Sequence, residues 1–401
     1  MKALISGASI AGPATAFWLS RAGHEVTVVE QAASLRPGGQ AVDFKGATHR
    51  AVLERMGLWE AVHDLRAEPV DAHFVDADGR VLAVMPHEFS GGDVEIARGD
   101  LATLLFERTV DDVEYVFGDR IETLHERPDA VEVAFAGGRT GEFDLVVGAD
   151  GVHSGVRRLA FGPEEEYVRF LGHYYAVAGA QPIGARHADA PSAVRPSAPW
   201  YNEPGRLVVV GGSKAPALVV FASPRLDYDR RDVAQQKRIV ADAYANVGWR
   251  VPEVLERIEA ADDFSFDGLN RVHMDRFTRG RVALVGDAGY ANTLGGFGTG
   301  LAIVGAFVLA GELAEADGDH RTAFARYDER MLRYSKVART GNAGPFLAPP
   351  SRMRIAMRNS TFRNRILFAG MMKLTDAFAT DLDLPAYPRL GFAARGDARR
   401  S

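Results

Sequence analysis

Three stretches of this chain pair a short apolar run with glycines and a carboxylate, the residue types that hold a phosphate-bearing, hydroxyl-rich ligand. In the first, residues 2–6 read as a buried strand, and Gly7-Ala8-Ser9-Ile10-Ala11-Gly12 follow at once. Residues 13–21 then suit a helix, and 24–29 a second strand that ends in Glu30. This is the dinucleotide-binding pattern in its strand–turn–helix–strand context. Gly7 permits a tight turn, Gly12 lets the helix pack closely on the strand, and the helix N-terminus offers free N–H groups to a pyrophosphate. Glu30, eighteen residues past Gly12, is placed to accept hydrogen bonds from a ribose hydroxyl, and Ser9 stands where the pattern has its middle glycine. Polar Ser6 and Ser9, two glycines and Pro13 interrupt the opening apolar run, so it reads as fold rather than as a secretory signal.

The second stretch is Asp144-Leu-Val-Val-Gly148-Ala-Asp150-Gly151-Val-His-Ser154-Gly-Val-Arg157, a buried strand that turns at Asp150-Gly151 into a helix carrying Ser154 and Arg157. The third runs from Gly280 through the strand 281–285 to Gly286-Asp287-Ala288, then Leu294-Gly-Gly-Phe-Gly298-Thr299-Gly300 and an apolar helix. Each again delivers a carboxylate and a glycine turn to the end of a strand. Alone, Arg98 suits a surface residue before a helix, Asp150-Gly151 a plain turn and Asp287 a helix cap.

In this order and separation, the three motifs resemble those of the class A FAD-dependent monooxygenases, the aromatic hydroxylases of the para-hydroxybenzoate hydroxylase type, over residues 1–334. The resemblance implies that Gly7, Ser9 and Gly12 hold the FAD pyrophosphate and Glu30 the adenosine ribose. It implies that Arg98 lies along the ribityl and phosphate groups, and that Asp150 and Gly151 sit where FAD meets a transient NADPH or NADH. Asp287 would bond the ribityl chain, and the amides around Gly298, Thr299 and Gly300 would face the flavin N1–C2=O edge. Ile10, Ala11, Gln31 and Gly286 complete the implied cofactor contacts. Because reduced flavin is anionic at N1, a helix N-terminus there has a physical purpose. The implied reaction is hydride transfer from NAD(P)H to FAD, then formation of a C4a-hydroperoxyflavin with O2 and hydroxylation of a small aromatic or polycyclic apolar substrate.

The chain departs from that family at one place. The family reads Gly-Asp-Ala-Ala-His and then a proline before its glycine loop; here Gly286-Asp-Ala-Gly289-Tyr290-Ala-Asn-Thr-Leu294 has neither histidine nor proline and is one residue shorter. FAD binding is untouched by this, but an FAD oxidase or dehydrogenase, or a non-redox flavoprotein cyclase, stays open beside hydroxylation. A flavin-binding sensor is a further alternative with no effector segment to support it. Tyr290 is expected to pack beside the cofactor. His173, Tyr174 and Tyr175, on one candidate strand, are the side chains offered as groups that reach the substrate, with sheet packing as the alternative for each.

The elements that must position these residues follow from hydrophobic periodicity. Helices are expected over 47–61, over 100–109 with Asp100 as N-cap, and over 232–247. A hairpin is expected over 72–84, turning at Asp76–Gly79, and short strands over 113–117, 121–124, 131–135 and 143–147. Strands 174–178, 206–210 and 217–222 suggest a mixed sheet, with Gly211-Gly212-Ser213-Lys214 as a hairpin turn. The fold class is α/β: a Rossmann-like FAD-binding domain with a parallel sheet, interleaved with a mixed-sheet substrate domain, and a C-terminal helical region. The FAD-binding parts are assigned to 1–70, 98–165 and 271–335, the substrate parts to 71–97 and 166–270, and helices and tail to 336–401. Phe170, Trp200, Tyr201, Phe221 and Phe264 supply aromatic surface for the substrate pocket. The basic, apolar stretch 353–372 is read as closing over the substrate domain or forming a dimer contact, in preference to facing a membrane, and 395–401 as a disordered tail.

Composition limits the rest. A net charge of −6 argues against a nucleic-acid partner, and zero cysteines exclude disulfides, thiolate metal ligands and a redox dithiol. Redox chemistry would then belong to a bound cofactor, with no metal. No uninterrupted apolar run of transmembrane length stands out; residues 366–380 come nearest but are broken by Lys373 and Asp376. The expectation is a cytoplasmic monomer or homodimer without a membrane partner.

Overall fold

A computed structural model describes residues 1–36, 40–179, 197–211, 217–364, 366–370 and 382–390. The turn residues 212–214, most of 366–380 and the tail 395–401 lie outside the described residues. Around the first motif, the Lys2–Ser6 strand has the continuous burial of a central parallel strand, with Leu4 and Ile5 fully buried. It lies between Leu145–Gly148 on one side and Glu25–Glu30 on the other, both parallel to it. Val282–Leu284 extends the sheet beyond Leu145–Gly148, and Glu114–Phe117 beyond Glu25–Glu30. Ser6 is level with Gly148, and Gly148 with Leu284. Three strand ends therefore stop together, and the loops after them open on one edge, where open α/β sheets bind ligands.

Helix Ala11–Arg21 packs against helix Gly298–Glu315, whose residues 300–313 are all buried. Gly298–Glu315 is the one described helix long and apolar enough to cross a membrane, interrupted only by Glu312 and Glu315, so it and not 366–380 comes nearest to such a run. Its neighbours explain the apolarity: it sits under Ala11–Arg21, Ala47–Met56 and His320–Tyr334, with apolar residues all round.

The second sheet has seven strands. Its order is Ser265–Val272, Val168–Ala178, Ala217–Ala222, Arg206–Val210, Ser197–Glu203, Asp71–Val75 and Val81–Met85. All its pairings are antiparallel except that of Ser197–Glu203 with Asp71–Val75. Alternation assigns its faces. Tyr174, Val208, Val219 and Phe221 point to helices Val233–Tyr244 and Val251–Ala260, while Leu207, Val209 and Val220 point to the short helix Gly344–Leu347. Helix Arg352–Arg363 lies on the edge strand Val81–Met85 and inserts Phe362 against Phe74 and Phe89, with ring centroids 5.6 and 5.3 Å apart.

Three expectations differ in detail. The helix over 47–61 is two, Ala47–Met56 and Trp59–Asp64, because Gly57 adopts φ +69° and ends the first. The helix expected from 100 begins at Arg98, so Asp100 sits inside its first turn instead of capping it. Val94–Ala97 pairs with Ala41–Phe44 and not with the seven-stranded sheet.

Candidate functional site

The loops after the three level strand ends enclose one side of a cavity of about 1070 Å³ that runs on to the seven-stranded sheet. The first turn is set by Gly7, whose φ is +108° and whose N–H donates to Val29 O at 2.8 Å. A Cβ on Gly7 would lie 2.4 Å from Ala149 O, and one on Gly12 would lie 1.8 Å from Gly7 O. Neither position admits a side chain. Ser9, Ile10 and Ala11 line the cavity, and the helix they begin has no side-chain cap. Glu30 accepts from Ala8 N and Ala32 N, both at 2.8 Å, which holds its carboxylate beside the turn, with Gln31 also on the cavity wall.

Arg98 carries a buried Nε with no hydrogen-bond partner. Burial and the nearby Arg36 push its guanidinium pKa down, while Tyr175, Asp287 and Glu30 hold it up. A buried donor left unmatched costs on the order of 1–3 kcal/mol, so this one points to a polar ligand. Asp287 faces open cavity space but lies deep within the protein; that depth raises its carboxyl pKa, Arg98 opposes the rise and Asp267 adds to it. A Cβ on Gly298 would stand 3.1 Å from Asp287 Oδ1, so Asp287 sits at the start of the long apolar helix, whose Gly298, Thr299 and Gly300 line the cavity.

The second motif works mainly through structure. Asp150 accepts from Ser154 Oγ and from Val156 N at 3.1 Å, and burial raises its pKa. Ser154 caps the next helix by accepting from Arg157 N at 2.9 Å. The fully buried Arg157 guanidinium donates from Nη1 to Ala288 O at 2.8 Å and from Nη2 to Val152 O at 2.6 Å. One side chain thus ties the loop of the second motif to that of the third. Asp150 and Gly151 reach the cavity; Gly12 and Gly286 lie behind it, and a Cβ on Gly286 would meet Ala11 Cβ at 2.8 Å.

Of the three candidate side chains on Val168–Ala178, only Tyr175 lines the cavity. Burial raises its phenol pKa, with Asp267 and Asp287 adding and Arg98 opposing. Tyr174 is turned the other way: it stacks on Phe266 at 5.3 Å and its hydroxyl accepts from Leu226 N at 2.8 Å. His173, beside the irregular register between Phe170 and Tyr174, packs on Gly344 and bonds Leu171 O at 3.2 Å. Of the five aromatic residues expected at the substrate pocket, Trp200 lines the cavity, whereas Phe170, Tyr201, Phe221 and Phe264 pack beneath the sheet's helices. The apolar end is lined instead by Met85, Phe89, Leu218 and Phe346, which come from distant segments. Tyr290 is buried and donates to Leu301 O at 3.3 Å, as a packing residue would.

Two histidines at the site are absent from the sequence reading. His49 presses its Nε2 into the notch at Gly300, where a Cβ would lie 2.2 Å away, and its Nδ1 bonds Lys45 O at 2.8 Å. His153 bonds both oxygens of Glu164 through Nδ1 at 3.1 and 3.0 Å, and both of Asp267 through Nε2 at 3.1 Å. Burial pulls its pKa down, but the bonds to Asp267 and Glu164 outweigh it and hold the imidazole at about 8. Glu164 is correspondingly held at about 2, burial being outweighed by His153 and Arg230. His153 follows Asp150-Gly151 in the chain, and Asp267 belongs to the seven-stranded sheet, so this imidazolium joins the two halves of the cavity wall. Only partners 11 and 114 residues away in sequence reveal it.

Comparison with known proteins matches residues 1–337 to the family described as FAD binding domain. A flavin-dependent monooxygenase of Legionella longbeachae is 37% identical over 345 residues, covering 83% of this chain and 86% of the relative. An uncharacterised protein of Mycobacterium tuberculosis, Rv1260, is 41% identical over 337 residues, covering 81% and 88%. The crystal structure of tetracycline destructase Tet(55) is similar with TM-score 0.77 and 34% identity, over 96% of this chain and 98% of that one.

Proposed function

The chain belongs to the FAD binding domain family and is an FAD-dependent monooxygenase, and we propose that it uses NADH or NADPH and O2 to hydroxylate a small aromatic or polycyclic apolar substrate. The observation that carries this reading is the two-sided cavity. At one end stand the unmatched Arg98 Nε, the turn at Gly7 that admits no side chain, and the helix start Gly298-Thr299-Gly300; at the other stand Trp200, Phe89 and Phe346. The donors and the space suit FAD. The turn at Gly7–Gly12 would hold the pyrophosphate, Glu30 the adenosine ribose, and Arg98 with Asp287 the ribityl chain. The chemistry FAD supplies when bound is acceptance of hydride from the nicotinamide and activation of oxygen.

The chain's own residues do the rest. The amides at Gly298–Gly300 begin a long helix and stabilise negative charge placed against them. Arg98 offsets the nearby carboxylates Asp287 and Glu30, and Asp287 offers carboxylate oxygens to ligand hydroxyls. Tyr175, the one cavity-facing member of its strand trio, is placed to orient a polar group on the substrate. The apolar wall excludes water from the reacting carbon and accepts a flat ring system. A fused polycycle is the favoured shape, in keeping with the similarity to a tetracycline destructase.

The test is turnover under ¹⁸O2 with NADPH or NADH and a panel of phenols and fused polycycles. The reading expects nicotinamide oxidation that rises with substrate and a product carrying a single ¹⁸O. Nicotinamide consumption that ends wholly in hydrogen peroxide, or none at all, would contradict it.

A further inference from the structure

From position 330 to 375 the sequence carries ten Lys and Arg and no Asp or Glu, in a chain whose net charge is −6. Within this stretch, helix Arg352–Arg363 divides its side chains between two faces. Inward, Arg358 lies 4.0 Å over the Phe74 ring and donates to Asn202 Oδ1 at 2.8 Å and to Phe346 O at 2.9 Å. Phe362 joins Phe74 and Phe89 on the same side. Outward, Met353 and Met357, one helical turn apart, are 67% and 55% exposed, and the helical residues 366–370 add Ile366 at 83% and Leu367 at 53%. Arg352, Arg354 and Arg363 are exposed around them. Acidic Glu203 and Asp76 share the neighbourhood of Tyr201 with Arg352, at the first turn.

We propose that this outer face docks on an anionic phospholipid bilayer. Exposed methionine, isoleucine and leucine flanked by arginines, with no carboxylate in the segment itself and Glu203 and Asp76 only near Arg352 at its first turn, suit an interfacial contact in which apolar side chains enter the acyl boundary while cations meet phosphates. A second copy of the chain fits less well, because a twofold contact through this face would set the same arginines against each other. The inner face of the helix backs Phe89 and Phe346, which line the apolar end of the cavity. Docking would therefore bring the substrate end of the cavity to the lipid, where an apolar polycycle partitions. This inference stands on surface chemistry alone and does not require the hydroxylation reading.

The test is flotation of the FAD-loaded full chain with vesicles of phosphatidylglycerol and phosphatidylcholine, and with phosphatidylcholine alone. Binding is expected only to the anionic vesicles and should weaken with salt. The Arg352→Gln, Arg354→Gln, Arg363→Gln variant should lose about a hundredfold in partitioning, near the loss expected for three interfacial cations. Met353→Asp with Met357→Asp should also release it, with FAD content unchanged as the check on folding. No flotation, or equal flotation of wild type and variants, would overturn the proposal. So would a dimer in sedimentation equilibrium that the methionine variant converts to monomer, since a second copy would then cover the face.

Discussion

Replacing His153 by Gln should make the protein's stability less dependent on pH, by an amount the structure sets. Both ring nitrogens face carboxylates, so each must carry a proton for the arrangement to be satisfied. The imidazole is held at about 8 in the folded protein, against 6.5 for an unperturbed histidine. A pKa raised by folding contributes stability that is complete below 6.5 and is lost as pH rises through 8. One and a half units correspond to about 2 kcal/mol, nearly all of it present at pH 6, about 1 kcal/mol left at pH 7, and almost none at pH 9. Urea unfolding of the FAD-loaded wild type and His153→Gln variant at pH 6, 7 and 9 gives the comparison. The wild type should lose about 2 kcal/mol more than the variant between pH 6 and 9. A difference between the two proteins that stays constant across this range would refute the paired imidazolium, because a packing role for His153 carries no proton.

Gly12→Ala should abolish FAD retention, since its Cβ would fall 1.8 Å from Gly7 O and neither backbone segment can yield; isothermal titration of the apoprotein measures it. Arg98→Gln should weaken FAD by about 10- to 100-fold, the worth of one or two charge-assisted hydrogen bonds, and unchanged affinity would remove Arg98 from the site. Arg157→Met should destabilise the fold by about 2–4 kcal/mol by leaving the carbonyls of Val152 and Ala288 unmatched, read by thermal unfolding. Tyr174→Phe should cost about 1 kcal/mol of stability through the lost bond to Leu226 N and leave turnover unchanged. Tyr175→Phe should do the reverse, changing KM or turnover with little effect on unfolding; equal behaviour of the two variants would contradict the face assignment.

The sequence was most legible where chain neighbours determine geometry. The turn at Gly7–Gly12, its flanking strands and the carboxylate at Glu30 are all set within 30 residues, and the glycines fall where a Cβ has no room. Local signals failed where a choice depended on distant packing. Strand alternation alone groups His173 with Tyr175, but an irregular register beside Phe170 and a notch at Gly344 take His173 out of the cavity. Phe170, Tyr201 and Phe221, expected at the substrate pocket, are on the strand face that meets two helices, one of which, Val251–Ala260, the periodicity reading does not include. His49 and His153 carry no local pattern; each is defined by contact with a glycine or a carboxylate far along the chain. The second motif was recognisable as DG-x-x-S-x-x-R, while the work of its arginine, tying Val152 to Ala288, appears only when the third motif is folded beside it.

The central claim is that this cavity holds FAD reducible by a nicotinamide and then reactive with oxygen toward substrate. Anaerobic stopped-flow absorbance tests it most directly: the FAD-loaded protein is mixed with NADPH or NADH in the presence of aromatic ligands, then with oxygen. The account predicts bleaching of the oxidised flavin, followed on oxygenation by a transient near-UV absorbance that decays as product and oxidised FAD appear. Flavin that stays oxidised with either nicotinamide across the ligand set would contradict it.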